Sequence, residues 1–258
     1  MSTYLDKIVD AHRLAAAADT RLLAELRTQA EAMAPARGFA SALASASGLA
    51  VISEVKRRSP SKGDLFADLD PARLAGEYES GGAACLSVLT DEDFFGGSAA
   101  DLAAARGGCS LPVLRKDFTV CEADVVDARL MGADAVLLIA AALDDEELSR
   151  LHSLALDIGL DALVEIHDEA ELERVLAIGA HLVGVNQRDL VTFEVDTERA
   201  VRMAPQIPAG VVRVAESGVR GPDDARTLRE AGYHAILVGE LLVTSGDVIA
   251  AVGALRSA

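Results

Sequence analysis

The sequence predicts an α/β protein folded as a closed (β/α)8 barrel, the TIM-barrel architecture, with extra helices ahead of the first strand. Three observations predict it. Eight short apolar, β-branched runs recur along the chain, a segment long enough for a helix separates each from the next, and the chain has 258 residues. Barrels of this kind need about 250 residues. Alternating strands and helices imply parallel strands joined by crossover helices. Eight units favour closure over an open sheet, and no G-x-G-x-x-G follows the first run to argue for a dinucleotide fold. Residues 1–258 therefore read as one barrel domain, with 1–46 as a helical extension packed on it.

In chain order, Tyr4, Leu5, Ile8 and Val9, then Leu22, Leu23 and Leu26, have helical spacing, and Pro35 sets them apart from Phe39–Leu43. These helices either plug one barrel end or cover the active-site mouth. The strand runs are Leu49–Lys56, Cys85–Thr90, Leu111–Phe118, Ala135–Ala140, Asp161–Ile166, His181–Asn186, Val211–Ser217 and Ala235–Gly239. Helices are expected at Pro71–Glu79, Glu122–Met131, Glu146–Ile158, Glu169–Ile178 and Asp223–Ala231, each followed by a glycine stop.

Composition narrows the functional classes. Half the residues are hydrophobic but only 3% are aromatic, so the core is aliphatic and base stacking is not a theme. A net charge of −17 would repel the phosphates of nucleic acid. An anionic substrate would need a local positive field. Cys85, Cys109 and Cys121 form no C-x-x-C pair and read as reduced thiols. No secretory signal is evident, and no apolar run is long enough to span a bilayer. The expectation is a soluble, cytoplasmic protein with no membrane or obligatory protein partner.

Active sites of such barrels lie at the C-terminal ends of the strands, so charged residues closing apolar runs are informative. The first run ends in Ser53-Glu54-Val55-Lys56, the third in Arg115-Lys116-Asp117, the fifth in Glu165, the sixth in Asn186 and the seventh in Glu216-Ser217. Side chains alternate along a strand, so Glu54 with Lys56, Lys116 with Leu114, and Glu165 with Leu163 share a face. Five charged groups turned into one mouth exceed what stability alone would select. Lysine held against carboxylates supplies general acid and base. The five histidines show no ligand spacing, and His167 reads as a loop residue out of phase with Glu165, so no metal centre is expected. Ser217-Gly218 and Gly239-Glu240 close the last two runs, where barrels of this type cradle phosphate. Lys56-Arg57-Arg58, with Lys62 behind, is the expected source of the positive field.

Taken together, these segments resemble the indole-3-glycerol-phosphate synthase family. The resemblance runs through Ser53-Glu54-Val55-Lys56-Arg57-Arg58-Ser59-Pro60-Ser61-Lys62-Gly63, Phe95-Gly96-Gly97-Ser98 and Leu111–Phe118. It continues through Leu163-Val164-Glu165, Gly184–Leu190, Ala215-Glu216-Ser217-Gly218 and Leu237-Val238-Gly239-Glu240. It covers nearly the whole chain, in order.

The resemblance implies a cofactor-free ring closure, decarboxylation and dehydration of 1-(2-carboxyphenylamino)-1-deoxyribulose 5-phosphate. By position, Lys116 matches the general acid and Glu165 its acid/base partner. Lys56, supported by Ser59, matches the lysine near the substrate carboxylate, with Glu54 and Glu216 as companions and Ser217 beside them. Asn186 and Arg188 match polar residues of the sixth-strand loop, and Phe95 and Phe118 match positions packing on the aromatic ring. Arg58, Gly218, Gly239 and Glu240 match the phosphate site. Ala123, Asp124 and Gln187 depart from the usual pattern, and Glu240 is acidic beside the expected phosphate, yet no group that the reaction requires is missing. The alternatives are another phosphate-binding barrel, such as a phosphoribosylanthranilate isomerase or the α subunit of tryptophan synthase, or a non-catalytic relative.

Overall fold

Each of the eight apolar runs is a strand, and the eight close into one parallel barrel in which every strand pairs with its neighbours in sequence. The computed structural model describes residues 3–59, 63–64, 66, 69–189 and 191–258. The strands are β1 (Ala50–Val55), β2 (Cys85–Leu89), β3 (Val113–Lys116), β4 (Ala135–Ile139), β5 (Asp161–Ile166), β6 (Leu182–Asn186), β7 (Val212–Glu216) and β8 (Ala235–Val238). They are shorter than the apolar runs by up to two residues at an end, because apolar character continues into the turns. A two-stranded ribbon, Arg58–Ser59 with Gly63–Asp64, stands above β1.

Three helices precede the barrel: α1 (Tyr4–Ala18), α2 (Leu23–Glu31) and α3 (Phe39–Ala44). The rest are α4 (Pro71–Gly81), α5 (Ala99–Gly108), α6 (Glu122–Leu130), α7 (Asp145–Asp157), α8 (Glu169–Ala177), α9 (Arg199–Met203), α10 (Pro222–Glu230), α11 (Glu240–Thr244) and α12 (Val248–Arg256). Local chemistry sets their ends. Asp144 and Glu147 form a reciprocal capping box at the start of α7, and Asp168 accepts from the Glu171 N–H at the start of α8. The expected glycine stops fall at Gly82, Gly132, Gly159, Gly179 and Gly232, all with positive φ.

Alternation along the strands creates two cores. Val51, Val88, Val113, Val136, Val164, Val183 and Ala215 face outward, under the surrounding helices. Ala50, Ile52, Cys85, Leu114, Ala135, Leu137, Leu163, Leu182, Val214 and Leu237 fill the barrel interior.

Both roles considered for the N-terminal helices occur, on different helices. α3 closes the N-terminal face. Phe39 and Leu43 are buried among the interior residues, a burial worth about 1.5–3 kcal/mol for each side chain. The Ala40 N–H donates to Asp161 Oδ2 at 2.8 Å, and the Arg37 N–H to Asp134 Oδ1 at 2.8 Å. α1 instead crosses the opposite face, where Tyr4, Leu5 and Ile8 line the mouth of a cavity. No helix among the described residues is long and apolar enough to cross a membrane.

Candidate active site

Strand register assembles the site. Glu165 lies opposite Gly184, Asn186 opposite Glu216, and Lys116 opposite Leu89, all at the C-terminal end of the barrel. The inward phase expected from alternation holds for Glu54, Lys56, Lys116, Glu165, Asn186 and Glu216, which all line one cavity of about 560 Å³. Phe95, Phe118, Leu137 and Ile139 give it an apolar wall, and the Phe95 and Phe118 rings sit 6.2 Å apart. Ser217, Gly218, Gly239, Glu240 and Arg188 complete the expected set on its lining.

Two lysines and three carboxyl groups share the floor. Lys116 Nζ donates to Glu165 Oε2 at 3.2 Å and stands 3.8 Å from Glu216 Oε2. Lys56 donates to Glu54. The Asn186 amide donates to Glu165 Oε1 at 3.0 Å, and its own oxygen accepts the Arg188 N–H at 3.0 Å. Glu165 and Glu216 are each 1% exposed, so neither charge is screened by water.

The two carboxyls titrate apart. Burial pushes Glu165 upward, but Lys116, His167 and the Asn186 amide outweigh it and hold it below the usual carboxylate range. Glu216 is driven well above that range, first by burial and then by the Glu165 charge, and neither of its oxygens has a hydrogen-bond partner among the described residues. Lys116 is held protonated, because the attraction of Glu165, Glu216 and Glu54 exceeds the burial penalty. One carboxyl held low, one held high and one ammonium therefore meet on the cavity floor, the separation that acid–base catalysis exploits.

Not every expected residue reaches this wall. Arg58 does not line the cavity; its guanidinium donates to the carbonyls of Phe94, at 3.3 Å, and Glu92, at 3.4 Å. Arg57 binds Asp101 through Nε at 2.9 Å and a second nitrogen at 2.7 Å. Arg57 and Arg58 are thus engaged locally, while Lys56 of the same basic run lines the cavity. The Ser59 side chain and Lys62 lie outside the described residues. The cation beside the glycine-ended strands is Arg220, which lines the cavity next to Gly218 and Val219.

His167 also needs correction. It does follow β5 in a loop, yet its Nε2 stands 3.5 Å from Glu165 Oε1: residues two apart share a face, as Glu54 and Lys56 do, so the pair is in phase.

Two glycines are structural requirements of the site. A Cβ at Gly239 would lie 2.5 Å from Glu54 Oε2 and 3.1 Å from Glu54 Cβ. At Gly184, in the middle of β6, a Cβ would lie 2.1 Å from Glu216 Oε1 and 3.3 Å from Leu163 Cδ1. Glycine inside a strand marks close approach, and that was the signal available for Gly184 in the sequence. Gly184→Ala should therefore displace Glu216. The expected result is a folded protein destabilised by about 1–3 kcal/mol, with turnover lowered at least about tenfold. Thermal unfolding and kcat measured side by side test this, and an unchanged kcat contradicts it. Ser217, at φ +65, is a non-glycine residue in the left-handed region, a conformation that concentrates at functional sites.

His12, Asp91 and Asp117 bring three potential metal-ligand atoms within 4.8 Å of one another. Their chemistry favours an ion-pair clasp instead. His12 Nε2 is 2.9 Å from Asp91 Oδ2, and Asp91 Oδ1 already accepts the Phe94 and Phe95 N–H groups. Asp117 Oδ2 is bound by Arg115 and Thr90, so a further cation would face the guanidinium. The clasp ties α1 to the ends of β2 and β3, beside Lys116.

A family model described as indole-3-glycerol phosphate synthase matches residues 5–255. An indole-3-glycerol phosphate synthase of Nocardioides sp. is 58% identical over 199 residues, covering 77% of this chain and 76% of that protein. One of Leptothrix cholodnii is 48% identical over 260 residues, covering 99% of each. Among solved structures, a thiamine phosphate pyrophosphorylase from Pyrococcus furiosus superposes with a TM-score of 0.60 over 81% of this chain and 94% of that one. At 17% identity this likeness is one of fold alone. A family match across residues 5–255 and relatives at 48–58% identity lead to one assignment: the chain belongs to the indole-3-glycerol phosphate synthase family.

Proposed function

We propose that this chain closes the indole ring of 1-(2-carboxyphenylamino)-1-deoxyribulose 5-phosphate, releasing carbon dioxide and water to give indole-3-glycerol phosphate, and is thus a carbon–carbon lyase. The observation that carries this reading is the buried Lys116–Glu165–Glu216 cluster, its two carboxyls shifted in opposite directions, on the floor of a cavity with an apolar wall.

Ring closure needs a carbonyl made electrophilic by a proton as the aryl carbon attacks it. Lys116 is the donor: an ammonium turned into a dry cavity, with carboxylates behind it to stabilise the charge between cycles. The attacking aryl carbon bears the carboxylate, which leaves as carbon dioxide and returns its electrons to the ring. Lys56, already paired with Glu54, is the cation that orients this carboxylate, supported by Ser59. Dehydration then requires removal of a proton and protonation of the departing hydroxyl. Glu165, held ionised, takes the proton, and the Glu216 carboxyl, whose hold on its proton is strengthened by burial, supplies the one that leaves as water; protons from solvent recharge Lys116 and Glu216 before the next cycle. Asn186 fixes the Glu165 carboxylate, and Arg188 extends the polar rim. Phe95 and Phe118, in contact with each other, form the apolar wall against which the aromatic ring packs.

The phosphate lies at the far end, at Ser217-Gly218 and Gly239-Glu240, where Arg220, paired with Asp224, is among the lining residues. Arg58 would serve there only by leaving its carbonyl partners. None of these steps calls on a metal or an organic cofactor.

The test is a fluorescence time course with the carboxyphenylamino-deoxyribulose phosphate in buffer containing a chelator. Rising indole fluorescence supports the reading. Saturable binding without turnover would identify a non-catalytic relative, and absence of binding would overturn the substrate assignment.

A further inference from the structure

We propose that His167 is a positioning residue for this reaction: as an imidazolium held by Glu171, it is the second cation of Glu165 and keeps that base ionised when Lys116 gives up its proton. The inference rests on the ring-closure reading and adds a residue to it.

The geometry comes from one turn of chain. His167 lies between the end of β5 and Asp168, the N-cap of α8. Its backbone N–H donates to Glu171 Oε2 at 2.7 Å, and its Nδ1 stands 3.3 Å from the same oxygen. Anchored at both points, the ring can turn only one edge inward. That edge carries Nε2, which is buried, lacks a hydrogen-bond partner among the described residues and stands 3.5 Å from Glu165 Oε1.

Each ring nitrogen thus faces a carboxylate. A neutral imidazole has one N–H and one lone pair. With the proton on Nδ1, the Nε2 lone pair would confront Glu165; with the proton on Nε2, the Nδ1 lone pair would confront Glu171. Only the doubly protonated ring turns a donor toward both. The charged groups facing it are Glu165 from β5, Glu171 from α8 and Arg199 from α9. Arg199 opposes the charge, but its guanidinium is committed to the Asn186 carbonyl at 2.8 Å. Burial also opposes the charge, and the two carboxylates outweigh both, so the ring is held above the usual histidine range.

The functional consequence follows from charge accounting around Glu165. In the resting site it has Lys116 on Oε2, with the Asn186 amide and the His167 ring on Oε1. When Lys116 protonates the substrate, its charge leaves the pair, and a carboxylate this deeply buried would rise toward neutrality. His167 does not exchange its proton with substrate and remains charged through the step. It thereby separates the two roles, letting Lys116 act as acid without quenching the base.

The test compares wild type with His167→Ala, His167→Gln and Glu171→Gln. With the ring cation absent, the acidic limb of the kcat/KM profile, which reports the free enzyme's base, should move up by roughly one pH unit in His167→Ala. kcat should fall about tenfold or more with KM changed less than about threefold, because the effect lies on the chemical step. His167→Gln restores a donor without charge, so it should recover KM and part of kcat but not the pH limb. In Glu171→Gln the ring loses its anchoring carboxylate, and its own titration should descend toward neutrality.

Imidazole nitrogen chemical shifts of wild type read the protonation state directly, without any turnover. An imidazolium at pH 7.5 supports the inference, and a neutral tautomer overturns it even if the enzyme is active. An unmoved acidic limb in a folded His167→Ala enzyme with wild-type kcat overturns it as well. If wild type itself shows no turnover, the ring-closure reading fails, while the nitrogen shifts still decide the charge of His167.

Discussion

Lys116→Ala is expected to lower kcat by at least about 10³-fold while leaving a barrel with wild-type far-ultraviolet circular dichroism. A positioned general acid contributes roughly 10²–10⁴-fold, and here the same group is also the cation around which Glu165 and Glu216 are arranged. The two losses compound. Without Lys116, Glu165 keeps His167 and Asn186 as partners but loses the nearest attraction that opposes its burial. Its carboxyl should therefore take up a proton more readily in the variant than in wild type. A group whose folded pKa rises stabilises the protein below its unfolded value, and that stabilisation is lost as pH climbs. The melting temperature of Lys116→Ala, relative to wild type, should accordingly fall as pH is raised from about 5 to 8. Lys116→Arg should not restore activity. Guanidinium is a poor proton donor near neutrality, and its planar fork is a different shape from a compact ammonium. Turnover within tenfold of wild type in the alanine variant would remove Lys116 from the acid role.

Much of this site was legible in the chain before any coordinates. A strand destined for a barrel interior is apolar at every second position, so a charge in phase with Leu114 or Leu163 has one place to go. Lys116 and Glu165 were placed by that rule, and the structure puts both on the cavity floor. The rule extends one residue beyond β5. His167, two residues on from Glu165, shares its face and stands 3.5 Å from it, so reading it as out of phase is a miscount. Arg57 and Arg58 fail for another reason. Their positions above β1 were foreseeable, but their partners, Asp101 and the Phe94 carbonyl, belong to the next strand–helix unit, and no local pattern joins them. The N-terminal helices show the same limit. Periodicity gave their apolar faces, and only the fold decides that α3 fills the barrel floor while α1 lies across the mouth.

Glu165→Gln and Glu216→Gln should part company, although the two side chains are equally buried and each stands within 3.8 Å of the same ammonium. Glu165 is ionised in the resting site, so an amide there removes both the base and the charge that holds Lys116. A loss of at least about 10²-fold in kcat is expected, and one under threefold would reassign the base. Glu216 holds its proton to higher pH than an ordinary carboxyl, because burial and the neighbouring carboxylate both oppose its charge. An amide is close to a protonated carboxyl in shape and donor capacity, but gives up no proton. Glu216→Gln should therefore lose only the dehydration proton and cost less than Glu165→Gln by about tenfold or more. Stability separates them again. A carboxyl with raised folded pKa contributes most below its unfolded value, near 4.3, and progressively less as pH rises. Replacing Glu216 by glutamine removes that dependence, so the variant should gain in melting temperature over wild type between about pH 4 and 8. Glu165 has the opposite sign. Its depressed pKa favours the fold above the unfolded value and is lost on acidification, so Glu165→Gln should compare worst with wild type at neutral pH. Two substitutions of the same chemistry, at carboxyls sharing one lysine, would then shift stability in opposite directions, and parallel shifts would mean that the assigned protonation states are wrong.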